Sequence, residues 1–137
     1  MALIFFIPKK DTTEKWMITD YRYLNKWTVK NNYPLPLINQ LLDSVRGCDM
    51  FTKMDVRWGY NNIRIREGDE WKCAFVTPLG SYEPLVMFFG QCNAPATFQN
   101  MMNDIFGEFL YGFLIIYMDD CLVFTKRLTR GEHMQKV

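Results

Sequence analysis

Short apolar runs separated by polar turns dominate this chain, and they predict several strands. The predicted strands cover residues 4–7, 16–20, 50–56, 63–66, 72–77, 82–89, 113–118 and 121–124. The first two flank a turn-like segment from Lys9 to Lys15, which predicts a hairpin. Apolar residues at helical spacing predict one helix over 37–45, ended by Gly47, and another from Asn93 or Ala94 to about Phe109. The charged tail predicts the start of a further helix. Without regular βαβ alternation, the expected class is α+β.

Composition bounds the chain as one globular domain. It has 137 residues, of which 49% are hydrophobic. No apolar run reaches the roughly 18 residues that a membrane span needs, so no membrane partner is expected. The net charge is +1, but residues 1–30 carry +3 and the rest −2. A basic N-terminal third suits phosphate contacts and equally suits a solvated charged face.

The cysteines and the histidine carry no recognisable motif. The four cysteines are widely spaced, with no C-x-x-C pair, so we expect buried reduced thiols. His133 is the single histidine, and we expect it at the surface without a partner. These features are typical of an intracellular protein, and they do not distinguish a cytoplasmic particle from the nucleus.

Paired carboxylates are the sharpest chemical feature. Tyr117-Met118-Asp119-Asp120 lies between two apolar runs, with Asp119-Asp120 expected at the tip of a hairpin. An ordinary turn is one interpretation, although tight turns favour Asn-Gly or Asp-Gly. Asp55 ends another apolar run, so three acids meet at one sheet edge if the strands pair. Such an all-oxygen set suits Mg²⁺ or Mn²⁺, and two such ions promote phosphoryl transfer.

Five blocks in order along the chain resemble the reverse transcriptase of gypsy-type long-terminal-repeat retrotransposons. The blocks are D-Y-R-Y-L-N-K (20–26), Y-P-L-P (33–36), F-T-K-M-D-V-R-W-G-Y (51–60), F-G followed by N-A-P-A-T-F-Q (89–99), and Y-M-D-D (117–120). Asp69 to Phe75 also fits. The resemblance implies an RNA-directed DNA polymerase that transfers deoxynucleotides to a primer 3′-hydroxyl. It further implies fingers and a palm, the palm being an antiparallel sheet backed by helices in a split βαβ arrangement.

The resemblance also implies roles for individual residues. Asp55, Asp119 and Asp120 would be catalytic and would hold two Mg²⁺ or Mn²⁺ ions together with the carbonyl of Val56. Residues implied to bind the incoming nucleotide are Lys9, Trp16, Arg57, Trp58, Gly59, Tyr60, Phe89 and Met118. Residues implied to contact primer or template are Arg22, Asn93, Pro95, Gln99, Tyr117 and Met118. Tyr60 would exclude a 2′-hydroxyl, or is simply a core tyrosine. Lys9 would contact the γ-phosphate, or is a solvated loop lysine.

The same resemblance sets the expected domain organisation and partners. Residues 1–30 and 63–89 would be fingers-like, and residues 31–62 and 90–137 palm-like. Thumb, RNase H and integrase regions are expected to be absent from this chain. The implied partners are an RNA or DNA template with its primer, deoxynucleoside triphosphates, and the remainder of the Pol polyprotein.

Two positions depart from the family pattern. Trp16 stands where the family has an arginine four residues before Asp20, and tryptophan stacks on bases but cannot neutralise phosphate. Gln91-Cys92 replaces the usual Leu-Thr. An alternative therefore stays open: a catalytically decayed or repurposed remnant that folds and at most binds nucleic acid.

Overall fold

The computed structural model describes residues 1–10 and 12–137, in which strands and helices are interspersed. The strands are β1 (Ala2–Pro8), β2 (Lys15–Thr19), β3 (Met50–Asp55), β4 (Phe75–Thr77), β5 (Gly80–Tyr82), β6 (Leu114–Tyr117) and β7 (Asp120–Thr125). The helices are α1 (Arg22–Trp27), α2 (Ile38–Ser44), α3 (Ala94–Phe106) and α4 (Arg130–Met134), with 3₁₀ turns at Gly59–Asn62 and Glu70–Cys73. This mixture confirms the α+β class.

The chain divides into two compact units. The first contains Met1–Asn31 and Tyr60–Ala94, and the second contains Asn32–Gly59 and Pro95–Val137. Whether these units act as fingers and palm stays a prediction. Among the described residues no helix is both long and apolar enough to cross a membrane.

The first unit is built on a four-stranded sheet of order β2-β1-β4-β5. β1 and β2 pair antiparallel, with Ile7 opposite Trp16, which confirms the predicted hairpin. Its predicted turn contains Asp11, which lies outside the described residues. β4 joins β1 in parallel, and β5 returns antiparallel to β4.

The second unit is built on a three-stranded antiparallel sheet of order β3-β7-β6. Side chains alternate between its faces, so Leu122 and Phe124 share one face with Ile115. Helix α2 covers this face, because Leu41 packs with Ile115 and Phe124 in a buried cluster. Helix α3 contributes the fully buried Phe98 to the same unit. The predicted helix at 37–45 is thereby confirmed.

Two predicted strands are wrong, and a third is shortened. Tyr82 ends β5, and residues 63–66 and 83–89 belong to no strand and meet only in an isolated bridge between Arg64 and Val86. Pro84 has no N–H to donate, so strand pairing cannot run through it. The expected strand at 72–77 is reduced to β4, because Glu70–Cys73 adopts a 3₁₀ turn. The second predicted helix ends at Phe106, three residues early.

Candidate active site

The β6–β7 hairpin ends in a two-residue loop, Met118-Asp119. Tyr117 pairs with Asp120, so Asp120 belongs to β7 and the tip lies one residue earlier than the sequence predicted. Met118 has φ of 54°. Two-residue hairpin loops need a residue with positive φ to match the twist of their strands. That left-handed conformation costs a residue other than glycine about 1–2 kcal/mol. The pairing of Tyr117 with Asp120 therefore stabilises the hairpin by more than the backbone strain at Met118 costs.

Strand pairing brings three acidic residues to one end of the three-stranded sheet. Asp55, the last residue of β3, lies directly opposite Asp120, and Asp119 is the next residue along the hairpin. The backbone N–H of Val56 donates to the carbonyl of Asp119 at 2.9 Å, which continues the pairing past the strand ends. The convergence of Asp55, Asp119 and Asp120 at one sheet edge is thus present in the backbone.

The side chains do not form a ready-made ligand set. In the described part of the chain, no group of three or more acidic, histidine or cysteine residues is arranged to hold a metal ion. The ammonium of Lys53 instead contacts Asp120 Oδ1 at 2.9 Å. This contact raises the pKa of Lys53 by its hydrogen bond and charge, and Asp55 and Asp119 add smaller contributions. Like charges disfavour closer approach of the carboxylates to each other.

Gln99 on α3 braces the hairpin from beneath. Its side chain is fully buried. Its Oε1 accepts the backbone N–H of Met118 at 2.8 Å, and its Nε2 donates to the carbonyl of Ile116 at 3.2 Å and to Asn103 Oδ1 at 2.9 Å. Asn103 in turn donates to the hydroxyl of Tyr33. Gln99, expected at the template path, is therefore positioned to fix the strained loop.

His133 is buried, so the expectation of a surface histidine without partners is wrong. Only 3% of it is exposed. Its Nε2 lies 2.8 Å from the hydroxyl of Thr52 on β3, and its Nδ1 lies 2.7 Å from the hydroxyl of Thr125 on β7. Helix α4, capped by Thr129 and Glu132, therefore links the two strands that carry Asp55 and Asp120.

Gly59 lies close to the hairpin tip and is buried. A Cβ there would stand 3.2 Å from Cζ of Phe98 and 3.4 Å from Cβ of Asp119. Any side chain at this position would therefore press on Phe98, so glycine suits the close approach rather than a special dihedral angle. Arg57 and Trp58, which precede it, are exposed, and Trp58 has φ of 58°.

Other predicted nucleotide-binding residues lie in the first unit. Tyr60 is buried and meets Phe89 edge to face, with ring centroids 4.7 Å apart. Lys9 forms an ion pair with Glu14, and its ammonium lies 4.5 Å from the centre of the Trp16 ring. The ion pair holds the pKa of Glu14 below its usual value. Sequence reasoning found Lys9 and Trp16 separately, and the structure shows them in contact.

Arg22 and Asn93 have structural partners of their own. Arg22 forms a bidentate pair with Asp20, at 2.7 Å between Nη2 and Oδ2, which lowers the pKa of Asp20 to about 2. Asn93 accepts the N–H of Asn31 and donates to the carbonyl of Val29. Asn93 therefore joins two segments of the first unit through their backbone, whereas Arg22 is held by the side chain of Asp20.

The described cysteines are free thiols, and only Cys121 is fully buried. Burial, followed by the charges of Asp120, Asp119 and Asp55, raises the pKa of the Cys121 thiol. The expected reduced thiols are confirmed, although Cys48, Cys73 and Cys92 are half-buried.

The contact of Lys53 with Asp120 and the burial of His133 were not predicted from the sequence, whereas Gln99 was predicted, at the template path, without its contacts under the hairpin. Lys53 carried a usable signal, because it lies two residues before Asp55 and therefore on the same face of β3. His133 carried none, since its burial depends on where α4 docks.

The sequence matches one family along nearly its whole length. Residues 7–137 match the family described as reverse transcriptase (RNA-dependent DNA polymerase). The Tf2-3 transposon polyprotein of Schizosaccharomyces pombe is 46% identical over 134 residues, and the Tf2-7 polyprotein of the same organism is 45% identical. The matched region is 98% of this chain and 10% of each polyprotein, so the chain spans about a tenth of these relatives.

Solved structures share the fold. The foamy viral protease-reverse transcriptase, solved in complex with an RNA/DNA hybrid, has a TM-score of 0.84 at 22% identity, covering 98% of this chain and 18% of that one. A second structure of that enzyme, solved with double-stranded DNA, has a TM-score of 0.85. The transposon relatives are consistent with the gypsy-type resemblance. The chain belongs to the reverse transcriptase family.

Proposed function

We propose that this chain carries the polymerase centre of a retrotransposon reverse transcriptase, which adds deoxynucleotides to a primer 3′-hydroxyl on an RNA or DNA template. The pairing of Asp55 with Asp120, next to Asp119 at the hairpin tip, is the observation that supports it most. These carboxylates share one edge and face outward enough to meet a substrate: Asp55 is exposed, and the other two are half-buried.

The donor set fits two Mg²⁺ or Mn²⁺ ions in its chemistry. Asp55, Asp119, Asp120 and the carbonyl of Val56 would hold them, since hard divalent ions prefer carboxylate and carbonyl oxygens. When bound, such ions activate the attacking hydroxyl and neutralise the triphosphate and its leaving group. The side chain of Asp120 would have to leave Lys53 to join the set.

The protein itself supplies position. Gln99 fixes the hairpin tip, and Gly59 lets the backbone approach Asp119 closely. Positioning of this kind lowers the barrier because the reacting groups no longer have to be ordered during the reaction. Met118, at the tip, would contact the primer end.

Aromatic and basic groups of the first unit would receive the nucleotide. The ring of Tyr60, fixed against Phe89, would exclude a 2′-hydroxyl. Lys9 would reach phosphate after leaving Glu14, and Trp16 would stack on a base. Arg57 and Trp58 of the second unit, both exposed, would also bind nucleotide.

The nucleic acid and the larger protein complete the proposal. Primer and template would be supported by Asn93, through the backbone it braces, and by Arg22, Pro95 and Tyr117. The remaining Pol regions, namely thumb, RNase H and integrase, would be partners in an intracellular particle or the nucleus.

A remnant without catalysis is the second candidate, and Trp16 is the observation that favours it. Charge-assisted hydrogen bonds to phosphate contribute on the order of 1.5–3 kcal/mol each. The absence of an arginine at position 16 would therefore lower kcat/KM about 10- to 150-fold. Replacing Trp16 with a cationic residue therefore distinguishes the two candidates. A weakened enzyme should gain polymerase activity, and a remnant should stay inactive.

Primer extension tests the proposal. The chain replaces the corresponding segment of the Tf2-3 polyprotein, and the purified product extends a labelled primer on an RNA template with Mg²⁺. We expect extension that Asp119→Asn abolishes. Trp16→Arg should raise kcat/KM at least about tenfold, whereas Met17→Arg, the matched charge on the neighbouring strand position, should not.

Each other outcome is informative. No extension by either the parent or the Trp16→Arg form, beside an active unmodified Tf2-3 protein, would establish the remnant. Efficient extension with no gain from Trp16→Arg would show that the triphosphate contact lies elsewhere.

A further inference from the structure

Lys53 is the basic residue at the acidic end of the three-stranded sheet, and the strand register explains its position. It lies two residues before Asp55 on β3, so both side chains leave the same face. Asp120 lies opposite Asp55, which makes Lys53 its diagonal neighbour across the pair of strands. The ammonium lies 2.9 Å from Asp120 Oδ1.

The stability of the fold does not explain why Lys53 and Asp120 form an ion pair. The Lys53 side chain is 64% exposed and that of Asp120 is 49% exposed. Ion pairs between exposed groups contribute little to folding because water and salt screen them. The location is what matters, because the oxygen bound by Lys53 belongs to the set that would hold a divalent ion.

We propose that Lys53 is a positioning residue that competes with divalent metal for Asp120. The ammonium holds the Asp120 carboxylate away from Asp55 and Asp119, and the metal ion must displace it to complete the ligand set. The affinity of the free chain for metal ions is therefore kept low. This proposal rests on the proposed function.

Manganese binding by the complete chain, measured by calorimetry and by the electron paramagnetic resonance of free Mn²⁺, tests the competition. We expect Lys53→Gln to bind Mn²⁺ about three- to tenfold more tightly, because a unit positive charge beside a divalent ion is removed. Lys72→Gln removes the same charge from the Asp69 ion pair of the first unit and should change affinity less than twofold. Far-UV circular dichroism checks that each variant folds.

A second comparison separates competition from general charge. In an Asp120→Asn background, the effect of Lys53→Gln should shrink to less than twofold, since the contested oxygen is gone. An undiminished effect would overturn the competition and leave only long-range electrostatics. Unchanged Mn²⁺ affinity in Lys53→Gln would overturn the proposal outright.

The same Mn²⁺ measurements distinguish a failure of the competition by Lys53 from a failure of the proposed metal site. If the parent chain binds no Mn²⁺ but Lys53→Gln binds it and loses it on Asp119→Asn, the competition is supported. If Asp55→Asn and Asp119→Asn leave parental binding intact, the metal site itself is misplaced. If neither the parent nor Lys53→Gln binds Mn²⁺, both proposals fall.

Discussion

The two sheets of this reverse transcriptase chain fix their polar groups by different means. In the three-stranded sheet, buried side chains hold the strands. Gln99 binds the hairpin tip beside the acidic end, and His133 bridges β3 and β7 towards the opposite end, where Thr125 pairs with Met50. In the four-stranded sheet, the polar groups on the β1–β2 hairpin are held by exposed contacts, such as Lys9 with Glu14. Buried hydrogen bonds are expensive to break, whereas exposed ion pairs are not.

This contrast matches two kinds of task. Carboxylates that hold ions must keep their geometry within narrow limits, which requires a buried, satisfied support. On the proposed function, Lys9 would have to leave Glu14 before it could bind a nucleotide, which an exposed and weakly held ion pair would allow. Substitutions in the two units should therefore differ in size as well as in kind.

The largest effect is expected at Gln99. Gln99→Leu keeps the approximate volume but leaves the buried N–H of Met118 and the carbonyl of Ile116 without this partner. The free energy of unfolding should fall by about 2–4 kcal/mol. Gln40→Leu, the same change at an exposed position of α2, should alter it by less than about 0.5 kcal/mol. Urea denaturation measures both, and equal losses would mean that Gln99 does not support the hairpin.

A smaller loss is expected at His133. His133→Leu removes both hydrogen bonds to Thr52 and Thr125 and should lower the free energy of unfolding by about 1–3 kcal/mol. Adding Thr125→Val removes the stranded hydroxyl, so the double variant should lose less than the two single losses added together. If the two single losses add up to the loss of the double variant in chemical denaturation, the hydrogen bond between His133 and Thr125 does not contribute to stability.

Gly59 provides a test with opposite signs. Gly59→Ala places a methyl group against Phe98 and Asp119 and should destabilise the chain by about 1 kcal/mol. Gly131→Ala, in exposed helix α4, should stabilise it by roughly 0.5–1 kcal/mol, because alanine favours the helix. Thermal melts compare the two, and a neutral Gly59→Ala would argue against tight packing at the hairpin tip.

The smallest effect is expected in the first unit, at Asp20. Arg22 lowers the pKa of Asp20 to about 2 in the folded chain, below the usual value of 3.8. The contribution to stability is therefore complete above pH 4 and is lost as the pH falls through about 2. Asp20→Asn should remove that part of the acid dependence and lower the free energy of unfolding at pH 7 by the same amount, which we expect to be small because water screens this ion pair. An identical acid profile in urea titrations of both forms would contradict the assignment.

The elements that follow a clear local pattern could be predicted from the sequence. The β1–β2 hairpin, α2, α3 and the strands around the acidic end follow from apolar spacing, and Asp55 beside the hairpin followed from strand pairing. The strands at 63–66 and 82–89 failed because alternation does not reveal how far pairing extends, and here it is limited to one bridge between Arg64 and Val86. The one-residue shift of the tip escaped because register depends on pairing, and the burial of His133 depends on tertiary docking.

Calorimetric titration with Mn²⁺ tests the central claim most directly, namely that Asp55 and Asp119 form a divalent-ion site. The Asp55→Asn/Asp119→Asn variant is compared with Asp43→Asn/Asp104→Asn, which removes the same charge from exposed helix positions. We expect the chain and the control variant to bind Mn²⁺ with similar affinity, and the Asp55→Asn/Asp119→Asn variant to lose that binding. Equal affinity in all three proteins would contradict the account.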